Sequence, residues 1–364
     1  MKQFRTMEYR LYPDKEQVQS ITDCLELEDG LFNRMADAAN DMKAAGKSEE
    51  AIAEAVSRVG AELRYGKTTV AAVKAQFRPQ LSRLMSGEIE RICHRSRLRA
   101  ERMADVWIHS TTEDSASISG VGAVPVVWHR RIPEEAHIYR AAVKESCYGA
   151  RYYLVYYYYF EEKSVNPVPV QPDRILGLDY AQDGLYVDSN GQSAGYPGFR
   201  LRERERLVRY RANAARFKPG SRRWKTHRCR LAKLETHINN QRRDWQRKKV
   251  NELVRDCDMV CREQLDMKEM GEQTPMLLPK LRDNDWNSFC RKLEAKMQQA
   301  GKPVVTVDRF YPSSQICSVC GRRFGKIPLE QRTVQCPHCH TVLDRDYNAA
   351  LNIRREGVRL YRSA

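Results

Sequence analysis

Arg174-Ile175-Leu176-Gly177-Leu178-Asp179 is a short apolar run that ends on an acid. Its apolar residues do not alternate with polar ones, so it reads as a buried strand delivering a carboxylate at its end. Residues 185–191 read as a second strand with an Asn190-Gly191 hairpin turn, since Asn-Gly suits the left-handed turn positions. Residues 258–263 repeat the first arrangement, an apolar strand closing on Glu263, and residues 303–307 predict a further strand. Helices are expected around Trp286–Met297 and from Asp346 onward, where Ala350, Leu351 and Ile353 supply apolar positions. Strands alternating with helices give this half of the chain an α/β character.

Upstream, residues 166–172 are proline-rich and mark the clearest domain boundary. Residues 7–13 alternate like a strand and stop at Pro13, and Asp14 reads as the cap of a helix containing Gln17, Ile21 and Leu25. Residues 15–110 are expected to be mostly helical, with Ile89, Ile92, Arg95 and Arg99 sharing one helical face. From 124 to 160 the period changes to strands at 124–128, 136–143 and 152–160, with turns at 132–134 and 148–149. The tyrosines of 152–159 are expected to be the two faces of a central barrel strand, not a base-stacking surface. Downstream, two helices are broken at Lys218-Pro219-Gly220. In the second, Trp224, Leu231, Ile238 and Trp245 recur every seven residues as one apolar stripe on a basic helix.

The 364 residues carry a formal charge of +16, and residues 200–249 alone hold 19 Lys or Arg against four acids, a net +15. Charge so concentrated marks a contact surface for a polyanion, because each phosphate contact by Lys or Arg releases counterions. Arg222, Arg223, Arg228, Arg230, Arg242 and Arg243 flank the apolar stripe and are the candidate nucleic-acid contacts. No apolar run reaches the roughly 20 residues that span a bilayer, and the start lacks a signal-peptide core. A cytoplasmic protein with no membrane partner is the expectation.

Eleven cysteines in such a chain suggest reduced thiols or metal rather than disulfides. Cys317-x2-Cys320-x15-Cys336-x2-Cys339 pairs two knuckles, each supplying two thiolates to one tetrahedral zinc. Four thiolates close the coordination shell, so this Zn²⁺ is expected to be structural. Gly321 suits the knuckle turn, and His338 and His340 are expected to be spectators. Asp179, Glu263 and Asp346 are three carboxylates from distant positions, the last at a helix start where the helix dipole favours an anion. Converging, they would suit two Mg²⁺ about 4 Å apart, the arrangement that activates water and stabilises the leaving oxygen in phosphodiester cleavage. Read singly, Asp346 is also compatible with a simple N-cap and Glu263 with a surface acid.

The chain resembles the TnpB family, the transposon-associated relatives of type V CRISPR effectors. The resemblance is carried by Tyr9-Arg-Leu-Tyr-Pro-x-Lys15-x-Gln17, Gly177-Leu-Asp179, Ala232-Lys-Leu-x6-Asn-x2-Arg-Arg-Asp244 and Val260-x2-Glu263-x-Leu265. It continues in Val305-x-Val-Asp-x2-Tyr311-x-Ser-Ser-Gln315-x-Cys317-x2-Cys320-Gly and Asp344-Arg-Asp346-x-Asn-Ala-Ala350-x-Asn352-Ile. It implies an α+β, α/β multidomain chain: a split RuvC domain of RNase H topology with a zinc-ribbon-like insertion, plus an N-terminal β-barrel wedge interrupted by a helical recognition domain. The implied boundaries are 1–14 and 119–165 for the wedge, 15–118 for the recognition domain and 166–172 for the linker. RuvC parts I and II fall in 173–312, the zinc-binding target-nucleic-acid module in 313–341 and RuvC part III in 342–364.

By the same resemblance, Asp179, Glu263 and Asp346 are the catalytic Mg²⁺ ligands, with Asp344 an outer neighbour. The partners are a guide RNA with a structured scaffold and target double-stranded DNA cut beside a short adjacent motif, and a monomer is favoured. Ala181 stands where the family usually has glycine, and Gln264 where it often has an acid. Neither change removes a carboxylate. The alternatives are an RNA-guided DNA-binding protein with little cleavage and a transposase-like strand transferase.

Overall fold

The computed structural model describes residues 2–62, 67–161, 165–325, 327 and 331–363. The end of the wedge segment at 162–164 and part of the cysteine module, 326 and 328–330, therefore lie outside the described residues. The chain divides into two compact units, Met1–Lys163 with Arg209–Lys233, and Ser164–Val208 with Leu234–Ala364.

In the first unit, strand β1 (Lys2–Leu11) leads into helix α1 (Lys15–Ala44). Asp14 starts that helix as expected. Its carboxylate accepts from Gln17 N at 2.8 Å, and Gln17 Oε1 accepts from Asp14 N at 3.1 Å, which satisfies two otherwise orphaned donors. Helices α2 (Glu49–Glu62) and α3 (Lys67–Met85) follow. The helical stretch ends there, short of residue 110. The segment carrying Ile89, Ile92, Arg95 and Arg99 is not a helix but a chain docked along α1.

Asn40 Nδ2 donates to Ile92 O (3.0 Å) while its Oδ1 accepts from Ile92 N (2.8 Å), and Asn33 does the same for Arg95 (3.1 and 2.6 Å). Seven helical residues rise about 10.5 Å, and three extended residues span about 10 Å, so the two clamps match in spacing. Ile92 is thereby buried among Leu31, Met35 and Phe77. A three-residue recurrence of large side chains fits this docking as well as a helix.

Residues 101–118, expected within the helical domain, instead form β2 (Glu101–Asp105), β3 (Ile108–Thr111) and β4 (Ser115–Ile118). With β5 (Gly122–Val127), β6 (His137–Ser146) and β7 (Arg151–Glu161) they complete a seven-stranded antiparallel sheet of order β2-β6-β7-β1-β5-β4-β3. Its two edge strands, β2 and β3, are joined by only Val106 and Trp107, so the sheet rolls up on itself. Tyr9, Leu11, Val124, Val143 and Leu154 fill its interior.

In the second unit β8 (Ile175–Ala181) and β9 (Leu185–Asp188) form an antiparallel hairpin. Helices α4 (Phe199–Arg202), α5 (Arg204–Ala215) and α6 (Arg222–Asp256) follow, the last two broken at Pro219-Gly220 as expected, with Arg209–Lys233 belonging to the first unit. Strand β10 (Met259–Glu263) pairs in parallel with β8 and with β11 (Val304–Val307), giving the order β11-β10-β8-β9. Between β10 and β11 lie α7 (Met267–Gln273), α8 (Leu278–Asn284) and α9 (Trp286–Gln299). Trp286, Phe289, Leu293 and Met297 of α9 pack against Leu176, Leu178 and Val260 of the sheet. Each such buried side chain contributes roughly 1.5–3 kcal/mol.

The chain closes with the short hairpin β12 (Thr333–Gln335) and β13 (Val342–Asp344), then α10 (Arg345–Ser363). Among the described residues no helix is long and apolar enough to cross a membrane.

Candidate functional site

Helix α10 is pressed onto the sheet at two glycine contacts. A Cβ on Gly177 of β8 would fall 2.2 Å from the Ala350 carbonyl oxygen, and one on Gly357 would fall 2.3 Å from Cys261 Sγ of β10. At Gly177 the two backbones meet directly, and at Gly357 the helix backbone closes on the Cys261 side chain, which fixes the helix on both strands at once. Asp346 lies one helical turn before Ala350, Asp179 two residues after Gly177, and Glu263 two residues after Cys261. The two glycines thus bring all three acids to the same end of the parallel strands.

Electrostatics records the convergence. Burial first, then Glu263 and Asp346, hold the Asp179 carboxyl well above the usual carboxylate range, with Arg345 opposing. Burial also raises Glu263, while a hydrogen bond from Ser313 Oγ to its Oε1 acts the other way. Asp346 is buried, and its oxygens are held by guanidinium groups: Arg332 at 2.5 Å on Oδ2, Arg345 at 2.8 and 3.0 Å on Oδ1.

The helix cap is not Asp346 but Asp344, whose Oδ1 accepts from Tyr347 N at 2.9 Å. Asp344, expected as an outer neighbour of the metal, thus has a capping role that leaves Asp346 available. A set of hard carboxylate oxygens, with Asp179 raised by burial and by the other two acids, fits divalent cations such as Mg²⁺, which would relieve the repulsion.

The four cysteines make the other cluster. Among the described residues Cys317, Cys320, Cys336 and Cys339 alone form a metal-type set of three or more His, Cys, Asp or Glu with ligand atoms within 4.8 Å of one another. Cys317 and Cys339 sulfurs lie 3.7 Å apart, as do those of Cys320 and Cys336. Four sulfurs at about 2.3 Å from a tetrahedral centre stand about 3.8 Å apart, so the donors fit one metal ion such as zinc.

The two knuckles repeat each other. Gly321 N donates to Cys317 O (2.8 Å), and His340 N donates to Cys336 O (2.9 Å), both from left-handed backbone at φ 76° and 61°. His338 and His340 are exposed and stand outside the thiol set. Hydrogen bonding to Thr341 brings the Cys339 thiol down to about 6.

Several positioning residues escaped the sequence reading. Asn348 Nδ2 donates to Ile316 O (2.8 Å), and its Oδ1 accepts from Ser318 N (2.8 Å). Asn352 Nδ2 donates to Ser313 O (2.8 Å) and Ile316 O (2.6 Å). These two fully buried amides, one helical turn apart, staple the start of the cysteine module to the helix that carries Asp346. Their i, i+4 spacing in the motif around Asp346 was the available signal.

The basic residues divide. Arg222, Arg223, Arg230 and Arg243 are exposed. Arg228 is tied to Tyr148 Oη at 2.9 Å, with its guanidinium near the Trp224 ring. Arg242 donates to the carbonyls of Arg282 (2.9 Å) and Asp283 (3.2 Å) and pairs with Asp285. Arg228 and Arg242 are thus committed to protein contacts. The apolar stripe also divides: Trp224 meets Tyr148 of the first unit edge-on, and Trp245 meets Tyr196 of the second. The residues read as one stripe thus serve two units.

Residues 157–274 match the family described as "Probable transposase" (OrfB_IS605), and 286–353 match "Cas12f1-like, TNB domain". The first span holds Asp179 and Glu263, the second the four cysteines and Asp346. A "Putative RNA-guided DNA endonuclease" of Streptomyces pristinaespiralis is 30% identical over 231 residues, 64% of this chain and 56% of that protein. "TnpB-like protein L79" of Acanthamoeba polyphaga mimivirus is 28% identical over 134 residues, 35% of this chain and 25% of that protein. The chain thus spans about half the length of the first relative and a quarter of the second.

Among solved structures, a Cas12f1–sgRNA–target DNA complex contains a chain of the same fold. Its TM-score is 0.56 at 13% identity, covering 97% of this chain and 99% of that one. The paired family matches and these relatives make the chain similar to TnpB-like proteins and RNA-guided DNA endonucleases, and the solved structure shares its mixed α+β fold.

Proposed function

We propose that the chain is an RNA-guided DNA endonuclease, a split RuvC domain of RNase H topology interrupted by a zinc module. The single observation that carries the reading is the set of mutually repelling carboxylates, Asp179, Glu263 and Asp346, at one end of the parallel strands. These three would hold two Mg²⁺, which supply an activated water and stabilise the leaving oxygen during phosphodiester hydrolysis. Ser313 orients Glu263, and Arg332 and Arg345 hold Asp346 in place. Cys317, Cys320, Cys336 and Cys339 would hold one structural Zn²⁺.

A guide RNA with a structured scaffold and a target DNA duplex are the proposed partners. The +16 charge supports this, as do the exposed arginines Arg222, Arg223, Arg230 and Arg243 and the nucleic acids named with the Cas12f1 relative. The domain limits read from the sequence are proposed with one change, the wedge resuming near residue 101.

The guanidinium pairs on Asp346 favour a second reading, a guided DNA-binding protein with little cleavage. One experiment separates them. RNA copurifying with the protein is sequenced, and a plasmid library bearing the matching target is incubated with Mg²⁺. Cutting by the wild type and none by Asp179→Ala supports the endonuclease. Target binding without cutting supports the second reading.

A further inference from the structure

Phe310 is 77% exposed, more than any other phenylalanine among the described residues. It sits at the apex of the five-residue loop 308–312, and both ends of that loop grip Glu263. Val307, before the loop, is the register partner of Glu263 across β10 and β11. Ser313, after it, donates its hydroxyl to the Glu263 carboxylate. Three residues of chain on either side span at most about 10 Å, so the ring is presented beside one of the three acids.

The presentation is rigid. Phe310 N donates to Asp308 Oδ1 (2.8 Å), Tyr311 N to Asp308 O (3.0 Å) and Ser313 N to Tyr311 O (2.8 Å). The Arg309 guanidinium lies 4.7 Å from the ring centroid and is itself anchored to Glu269 at 3.0 Å. One side of the ring is thus backed by a cation, and the ring remains largely open to solvent.

We propose that Phe310 is a stacking site for an unpaired nucleobase of a single DNA strand, next to the phosphodiester to be cut. The proposal rests on the endonuclease reading. A base is the occupant that the surroundings select: the acids address a phosphodiester, and every base carries a π-face that an aromatic ring accepts without regard to sequence. A paired base hides that face in the stack, so the strand must be single where it meets the site. Arg309 adds a cation beside the same ring.

The test uses the full chain as isolated with its RNA, a single-stranded oligodeoxynucleotide containing 2-aminopurine, and Ca²⁺ in place of Mg²⁺. The wild type should quench the 2-aminopurine fluorescence. Phe310→Ala should abolish the quenching and weaken binding roughly 5- to 100-fold, the range of one base–aromatic stack. Phe310→Trp should keep both, and Phe310→Leu should behave like Phe310→Ala. Because the side chain is exposed, all three variants should melt with the wild type.

Unchanged quenching in Phe310→Ala or Phe310→Leu overturns the site, as does a wild type that does not quench. Plasmid cleavage by the wild type, measured in parallel, keeps the two ideas apart. Cleavage with Phe310-independent quenching sinks only the stacking site, whereas Phe310-dependent quenching without cleavage sinks the nuclease reading.

Discussion

The cysteine and carboxylate clusters solve opposite problems. The four thiols stand with sulfurs 3.7 Å apart within a short stretch of chain. The carboxylates are distant in sequence and meet like charge with like. Asp179 is pushed up by burial and then by its neighbours, and Asp346 is held by two arginines. One site is preassembled by local sequence. The other is assembled by the fold against its own electrostatics, and the proposed cations would complete it.

Removing cysteines breaks this comparison most severely. A structural zinc site contributes about 10–16 kcal/mol to the folding of a small domain. Cys317→Ser or Cys336→Ser should take elemental zinc from about one per chain to none. Amide exchange across 313–343 should rise, and Asp346 should lose its support through Asn348 and Asn352. A metal-free wild type with full activity would refute the assignment.

Next come the acids. Asp179→Ala, Glu263→Ala and Asp346→Ala should each remove several kcal/mol of transition-state stabilisation and leave cleavage at background. RNA binding should be unchanged; metal-free melting should be no lower in Asp179→Ala, which relieves repulsion, and lower in Asp346→Ala, which strips Arg345 of its partner. Normal cutting by any one of the three would remove that residue from the site. Asp344→Ala should instead cost helix stability, about 1 kcal/mol for the missing cap, with milder loss of cutting.

Glu28 sharpens the contrast: burial is the first cause of its rise, as for Asp179, but it stands apart from the three converging acids and only Asp105 adds to the rise. Its carboxyl is pushed up to about 7 from 4.5, one oxygen accepting from Asp105 N at 2.7 Å and the other buried without a partner in the described residues. Asp105 adds to the rise, while Arg95 and Arg140 oppose it. Between those two pH values the folded state holds the proton and the unfolded state does not. The contribution to stability is therefore full below 4.5 and lost as pH rises through about 7. Glu28→Gln should flatten the fall in melting temperature from pH 5 to 8. Mg²⁺ should raise the melting temperature of this variant as much as that of the wild type, and should do so much less in Asp179→Ala.

The smallest effects separate the arginines. Arg243→Gln together with Arg230→Gln should lower the salt slope of RNA or heteroduplex binding by about 0.7–0.9 for each phosphate no longer neutralised, with melting unchanged. Arg242→Gln should lower the melting temperature instead, because it releases the Arg282 and Asp283 carbonyls. The reverse pattern in filter binding and calorimetry would exchange their roles.

Local chemistry was legible in the sequence wherever residues act on near neighbours. Asp14 announced a helix cap, Lys218-Pro219-Gly220 a break, and the cysteine spacing a metal knuckle. Long-range effects were not. The segment 86–100 looked helical because Asn33 and Asn40 hold it at a spacing that imitates helical recurrence. Strands β2, β3 and β4 are short and carry few large apolar residues, so their identity depends on partners such as β6 and β5. At the acids, position at a strand end could be read. The glycines that press α10 flat, and the arginines that take up Asp346, could be recognised only with the fold in view.

The seating of α10 on Gly177 and Gly357 also imposes an order in time. A ribosome adds roughly 5–20 residues per second. Asp346 is synthesised 83 residues after Glu263. For several seconds the nascent chain therefore carries two of its acids without the third. The carboxylate set is thus completed only when the last helix of the chain has been made and seated.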